Sequence, residues 1–366
     1  MKDTNDDIFY ENLAEVNCRY SCEFKEAFAE LLESGWYILG KNVADFEKQF
    51  SDFNGSAFTV GLASGLDALH LALASLGLND GDEVIVPSNT YIATILAIIN
   101  NGLIPKLVEP EIETYNIDPA LIEKAITKKT KAIMVVHLYG KSCDMAQITA
   151  VATKYKLPLI EDCAQAHGTG FRGTNVGNFG DFGAFSFYPT KNLGALGDAG
   201  ALTMKTENNA ERIKTLRNYG SKKKYLNEIQ GYNSRLDELQ AMFLKIKLKY
   251  LGEVIDHKRL LAELYLEQIS KSFITPVVDS DYYDTYHIFN IRHQERDKLQ
   301  AYLAENGVST DIHYPVPPNK QVALKKMFDG SFPISEEIHR TTLSLPISYA
   351  TKVDEVKKIC LLLNRY

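Results

Sequence analysis

The spacing of apolar residues changes along this chain, and the change divides it. Residues 23–34 (EFKEAFAELLES) repeat at helical spacing and stop at Gly35, and VADFEKQFSDF sets Val43, Phe46 and Phe50 on one helical face. From Ala57 short β-rich runs take over, each followed by a helical stripe. AFTVGLAS reads as a strand that runs through Gly61 to Gly65 into LDALHLALASLGL, with leucines at 66, 69, 73 and 76. EVIVP, IPKLVEP, KAIMVVHLYG and LPLIEDC continue the strands, and TYIATILAIINNG and AQITAVATKYK continue the helices. This alternation predicts an α/β fold, a mainly parallel sheet flanked by helices. After Thr203 the pattern turns helical and charged, and DELQAMFLKIKLKYLGEVIDHKRLLAELYLEQISK predicts one long linker helix. Beyond it YHIFNIRH reads as a strand, with DKLQAYLAENG and VDEVKKICLLLNRY as helices. The expected division is residues 1–245 for the N-terminal helices and a large domain, and 246–366 for a smaller α+β domain.

Composition narrows the function classes. With 40 basic against 47 acidic residues and a net charge of −7, a nucleic-acid surface is not expected. No apolar run is long enough for a membrane span, and the opening MKDTNDDIFY is too polar for a signal peptide. The five cysteines are scattered and lack paired spacing, which predicts a reduced, cytoplasmic protein without a structural metal.

Ligands of parallel sheets bind beyond the carboxyl ends of the strands, so the strand exits carry the candidate chemistry. They are Ala63 to Gly65, Pro87 to Tyr91, His137 to Gly140, Asp162 to Gln165, and Tyr188 to Lys191. GLASG before a helix offers free backbone N–H groups to an anion, although it lacks both the Walker lysine and the dinucleotide G-x-G-x-x-G. A plain glycine turn is the alternative there. Asp162 ends an apolar strand, where a carboxylate needs a cationic partner or caps the next helix. Gln165 lies one turn further on. His167 reads as a structural histidine. Lys191 follows the aromatic run Ala184 to Tyr188 and Pro189, in a loop too glycine-rich for helix or sheet. It is either a solvated lysine or an amine nucleophile drawn partly out of water. Taken together, an amine, a carboxylate for a ring nitrogen, a helix N-terminus with Ser186 for a phosphate, and Tyr91 as a lid compose a pyridoxal 5′-phosphate site.

The chain resembles the nucleotide-sugar aminotransferases of the DegT/StrS family, which have the aspartate-aminotransferase (type I) fold. The matching segments span nearly its whole length: SGWYILGKNVADFEKQF, GLASGLDAL, VPSNTYIAT, VVHLYG, IEDCAQAHG, GTNVGNFGDFGAFSFYPTKN and LRNYGS with GYNSRLDELQA. The resemblance implies Lys191 as the Schiff-base lysine and Asp162 as partner of the pyridine nitrogen. It implies Gln165 on the phenolic oxygen, Tyr91 over the ring, and Ser64, Gly65 and Ser186 on the phosphate. Asn233 would reach the phosphate of a neighbouring subunit, which implies a homodimer with shared active sites. Where the family often has Gly-Glu-Gly-Gly, this chain has Gly197-Asp198-Ala199-Gly200.

For the substrate, STDIHYPVPPNKQ resembles members that aminate a 3-keto rather than a 4-keto sugar, with His313 and Tyr314 facing it. LRNYGSKKKY, with Tyr219, Lys222 and Lys223, reads like enzymes acting on dTDP-3-keto-6-deoxyhexoses; its lysine run is otherwise a solvated face. The expected activity is therefore a transamination of such a dTDP-sugar, with L-glutamate as donor and pyridoxamine 5′-phosphate between the two halves. The end product would be an amino sugar for a glycan such as an O-antigen. A 4-keto aminotransferase is the alternative, followed by a sugar dehydratase, whose family members replace the lysine with histidine, and a non-catalytic regulator.

Overall fold

The computed structural model describes residues 7–328 and 330–366. Among these, seven strands form one sheet. From edge to edge they are Phe58–Leu62, Gly200–Met204, Phe182–Ser186, Leu159–Asp162, Thr130–Val136, Glu83–Pro87 and Ile104–Val108. Gly200–Met204 runs antiparallel to both neighbours, and all other pairs are parallel. The inner parallel strands Leu159–Asp162, Thr130–Val136 and Glu83–Pro87 are buried on both faces over most of their length, which is why they read as near-continuous apolar runs rather than alternating ones.

Helix Gly65–Ser75 lies against the sheet with Leu69 and Leu73 fully buried and Leu66 and Leu76 half-buried at its margins. On the other face Phe46 and Phe50 of helix Lys41–Asn54 meet Phe185 and Phe187 edge-on, at centroid distances of 5.0–5.3 Å. Each such fully buried ring contributes roughly 1.5–3 kcal/mol. The N-cap of that helix, Gly40, has no side chain to offer. The buried Glu238 carboxylate replaces it, accepting from the backbone N–H groups of Gly40, Asn42 and Val43 at 2.8–2.9 Å.

The expected long linker helix is two helices, Glu238–Leu248 and Leu251–Gln268. The break lies at Tyr250 (φ −107°, ψ 3°), whose ring turns out to Tyr20 and whose hydroxyl bonds Glu23 at 3.0 Å. The bend keeps Leu251 buried in the core below. Along the second helix the core changes: Val254 and Ile255 pack with the aromatic cluster, whereas Leu261, Ala262 and Tyr265 pack with Phe289, Leu345 and Ile359. That second core is built on the antiparallel pair Phe289–Arg292 and Thr342–Leu345, and it includes Ile8. The aromatic run at 184–188 is strand only to Ser186; Phe187 still bonds Ala199 and Ala195 through its backbone as the chain leaves the sheet. None of the five cysteines is paired, and no described helix is long and apolar enough to cross a membrane.

Candidate active site

The strand exits converge on one cavity of about 760 Å³ at the carboxyl end of the sheet. Ser64, Gly65, Tyr91, Asp162, Gln165, Ser186, Lys191, His313 and Tyr314 all line it. Ser64 is the N-cap of helix Gly65–Ser75, and its hydroxyl accepts from the Asp67 N–H at 3.1 Å. A Cβ on Gly65 would stand 2.5 Å from Ser186 Cβ, and one on Gly200 would stand 2.3 Å from the Ser64 backbone. Glycine at both positions lets the helix N-terminus, with its unpaired N–H groups, close onto the Ser186 hydroxyl. An anion cradle results.

Asp162 is buried at the end of its strand. Its Oδ2 accepts from Thr94 Oγ1 at 2.9 Å and its Oδ1 from the Ala164 N–H at 3.1 Å. Thr94 gives its one proton to Asp162, so Thr90, 2.7 Å away, donates to Thr94 in turn. Burial pushes the Asp162 carboxyl up, and the Ala164 N–H, the Thr94 hydroxyl and the Lys191 charge oppose that. Burial draws the Lys191 amine down to about 8, with Asp162 pulling up and Lys258 pushing down. The two groups line the same cavity, and each feels the other's charge.

Gln165 is held at both ends. Its Oε1 accepts from the Tyr139 N–H at 2.7 Å, and its Nε2 donates to Tyr314 Oη at 2.9 Å. Tyr139 adopts the left-handed region (φ 60°), and its hydroxyl donates to the His313 carbonyl, so one residue ties both sides of the cavity together. The Tyr314 ring lies 5.2 Å from that of the exposed Tyr91. His313 bonds Ser344 Oγ through Nδ1 at 2.9 Å, and burial draws it down to about 4, so it is neutral.

His137, Glu161 and Cys163 come within 4.8 Å of one another beneath the cavity. Cys143 N–H donates to His137 Nδ1, so Nε2 carries the proton and donates to Glu161 at 3.0 Å. The remaining oxygen positions of Glu161 accept from the N–H groups of Gly177, Phe179 and Gly180 at 2.7–2.9 Å. The carboxylate is thereby saturated and braces the glycine loop. His167 packs between Phe185 and Phe187 and is drawn down to about 3, mainly by burial.

Asn233, Tyr219, Lys222 and Lys223 lie away from this cavity. Asn233 lines an adjoining hollow of about 350 Å³ with Arg235 and Gln240, which shares Ala63 and Asp198 with the main cavity. Tyr219 is exposed beneath the Arg235 guanidinium, 5.3 Å away, and Lys222 pairs with Glu228 on an exposed hairpin. Thr94 and His287 also line the cavity, and sequence reasoning missed both. Thr94 follows Tyr91 by three residues on the first turn of a helix, a spacing that could have flagged it; His287 carries no such signal.

The profile of the DegT/DnrJ/EryC1/StrS aminotransferase family matches residues 19–364. The chain belongs to this family. It is 54% identical over 97% of its length, and 98% of the relative's, to the dTDP-3-amino-3,6-dideoxy-alpha-D-galactopyranose transaminase of Aneurinibacillus thermoaerophilus. Among solved structures, Streptomyces venezuelae DesV in complex with a ketimine intermediate superposes with a TM-score of 0.96 at 40% identity, covering 98% of both chains. Bacillus subtilis NtdA with bound PMP superposes at 0.92 and 30% identity, over all of this chain and 86% of the other. The aminotransferase fold expected from the sequence is the fold observed.

Proposed function

We propose that this aminotransferase uses pyridoxal 5′-phosphate to place an amino group on the third carbon of a dTDP-3-keto-6-deoxyhexose, with L-glutamate as donor. The observation that carries the reading is the Lys191 amine lining one cavity with the buried Asp162 carboxylate, beside an anion cradle. That donor set fits the cofactor: an amine for its aldehyde, a carboxylate for its ring nitrogen, and a helix N-terminus with two hydroxyls for its phosphate. When bound, the cofactor supplies an electron sink that stabilises negative charge at the substrate's α-carbon.

The protein's own part follows from the geometry. Ser64, Gly65 and Ser186 would hold the phosphate. Asp162, whose charged form Thr94 and Ala164 favour against its burial, would be the partner of the ring nitrogen. Gln165, fixed by Tyr139 and Tyr314, keeps a second Nε2 proton that would be free to hold the cofactor's ring. Lys191, with its pKa lowered to about 8, is in part a free amine near neutral pH; it would be the amine that holds the cofactor's aldehyde and the base that moves protons to and from the substrate. The Tyr91 and Tyr314 rings cover the cavity and keep water from the reacting atoms. His313 and Tyr314 offer hydrogen bonds to sugar hydroxyls from the cavity wall.

The 54% identical relative supports the dTDP-3-keto substrate and favours a galacto configuration. Lys191 speaks against a dehydratase, and a complete cofactor site would be superfluous in a regulator. A homodimer is part of the proposal: Trp36, Tyr37, Ile38, Tyr188, Tyr219 and Leu226 are large apolar side chains left exposed in one chain, which a second copy would cover. Asn233, Tyr219, Lys222 and Lys223 would then face the partner's cofactor and sugar diphosphate. The test is incubation with ¹⁵N-glutamate and a panel of dTDP- and UDP-keto sugars, read by mass spectrometry and NMR. Label on the third sugar carbon supports the reading, and label on the fourth overturns it.

A further inference from the structure

We propose that Lys258 is a positioning residue for Lys191, anchoring the loop behind it through Asn192 and setting a cation at the back of the active site. The proposal rests on Lys191 being the reacting amine. Lys258 lies on helix Leu251–Gln268, in the stretch where that helix passes from one hydrophobic core to the other. It is 4% exposed, and its Nζ donates to Asn192 Oδ1 at 2.8 Å and to the His287 carbonyl at 3.3 Å. Asn192, adjacent to Lys191, spends its own Nδ2 on the Thr285 carbonyl at 3.1 Å. Lys191 is thus followed by a side chain clamped from two directions, and one clamp is charged.

A second cavity of about 20 Å³ lies behind the loop, walled by Lys191, Asn192, Lys258, Lys247 and Glu11. Its size suits one water. Two buried lysines and one glutamate leave this wall positive. Burial draws Lys258 down to about 8 while Glu11 favours its charged form, so it is mostly a cation at neutral pH. Lys247, likewise drawn to about 8, leans on Glu11 as well. Asp162, Asp198, His287, His313, Tyr314, Tyr91 and Tyr188 line the main cavity with Lys191, and His167 lies outside that lining between Phe185 and Phe187. Burial keeps the three histidines neutral and the Tyr314 phenol protonated. Asp162 and Lys258 are the opposed charges acting on the Lys191 amine. Asp162 draws a proton onto it, and Lys258 repels that proton. Only the unprotonated amine is a nucleophile.

The experiment measures the pH dependence of Lys191 acetylation by acetic anhydride in the full-length chain freed of cofactor, followed by peptide mass spectrometry. The midpoint of the holoenzyme's visible absorbance against pH is the second readout. In Lys258→Met the midpoint of labelling rises and the rate at pH 7 falls about tenfold, the equivalent of one pKa unit. The visible band shifts in the same direction, and Lys258→Arg restores both. Lys258→Gln, which still donates to Asn192 without the charge, serves if the Met variant does not fold, and it shifts the midpoint as well. Midpoints unchanged in both uncharged variants, or lowered, overturn the proposal. A wild-type Lys191 that labels with an ordinary lysine midpoint would instead overturn the reading of Lys191 itself.

Discussion

Gly65→Ala sets two effects of opposite sign against each other. Gly65 opens a helix and does not need a positive φ, so helix propensity alone predicts that alanine stabilises by about 0.5–1 kcal/mol. The packing predicts the reverse. The new Cβ would lie 2.5 Å from Ser186 Cβ and 3.1 Å from Ser186 Cα, atoms that no rotamer change can move away. Relief needs a shift of roughly 1 Å to reach ordinary contact distance. Overpacking of this kind costs about 1–3 kcal/mol, enough to outweigh the propensity gain. The shift also separates the helix N–H groups from the Ser186 hydroxyl, so cofactor affinity should fall roughly tenfold or more. Gly252→Ala is the control, since nothing lies within 4 Å of its added Cβ. Thermal melting of the apoenzyme and titration with pyridoxal phosphate read both effects. If Gly65→Ala melts and binds like the wild type, the cradle does not depend on this close approach and the reasoning is wrong.

Thr94→Val removes the hydroxyl that supports the Asp162 carboxylate, at a cost of about 1.5–3 kcal/mol where Asp162 is ionised. Burial already raises the folded Asp162 pKa, so the protonated form favours the fold: stability from this group is greatest below its unfolded value and is lost as pH rises through the folded one. The Thr94→Val deficit, measured by chemical denaturation, should therefore be full at neutral pH and shrink in mild acid. Glu238→Ala leaves three N–H groups at the start of helix Lys41–Asn54 without their acceptor and should cost about 2–4 kcal/mol by the same assay. Tyr314→Phe keeps the ring against Tyr91 but removes the Gln165 contact; KM for the keto sugar should rise several-fold and, with Gln165 held only by Tyr139, the half-reaction with the amino donor should slow as well, as stopped-flow absorbance would record.

Six of the seven sheet strands and their exits were legible as β-rich runs bounded by glycine, proline or a polar turn; the antiparallel strand Gly200–Met204 was not read, because it follows the glycine-rich loop directly. Ser64, Asp162, Gln165, Ser186 and Lys191 could be named because the topology rule sends every exit to one end of the sheet. What could not be read depends on contacts distant in sequence. Thr94 meets Asp162 across 68 positions, and Lys258 meets Asn192 across 66. The break at Tyr250 was hidden because the helical period continues across it, and only the pull of Glu23 and the core under Leu251 decide the bend. Tyr219, Lys222, Lys223 and Asn233 belong to a different case. They were singled out for contacts with a sugar or with a second subunit, and in one chain they lie outside the cavity.

Reduction of the holoenzyme with borohydride, followed by peptide mapping, tests the central claim most directly, because it fixes the cofactor to whichever amine holds it. Three buried or half-buried lysines in this region, Lys191, Lys247 and Lys258, have pKa values drawn down to about 8. Only Lys191 lines the main cavity with Asp162 and the anion cradle. The account predicts the cofactor's mass on the peptide carrying Lys191, one per chain, and none in Lys191→Ala. Label on Lys247 or Lys258, or no label on any peptide, would contradict it.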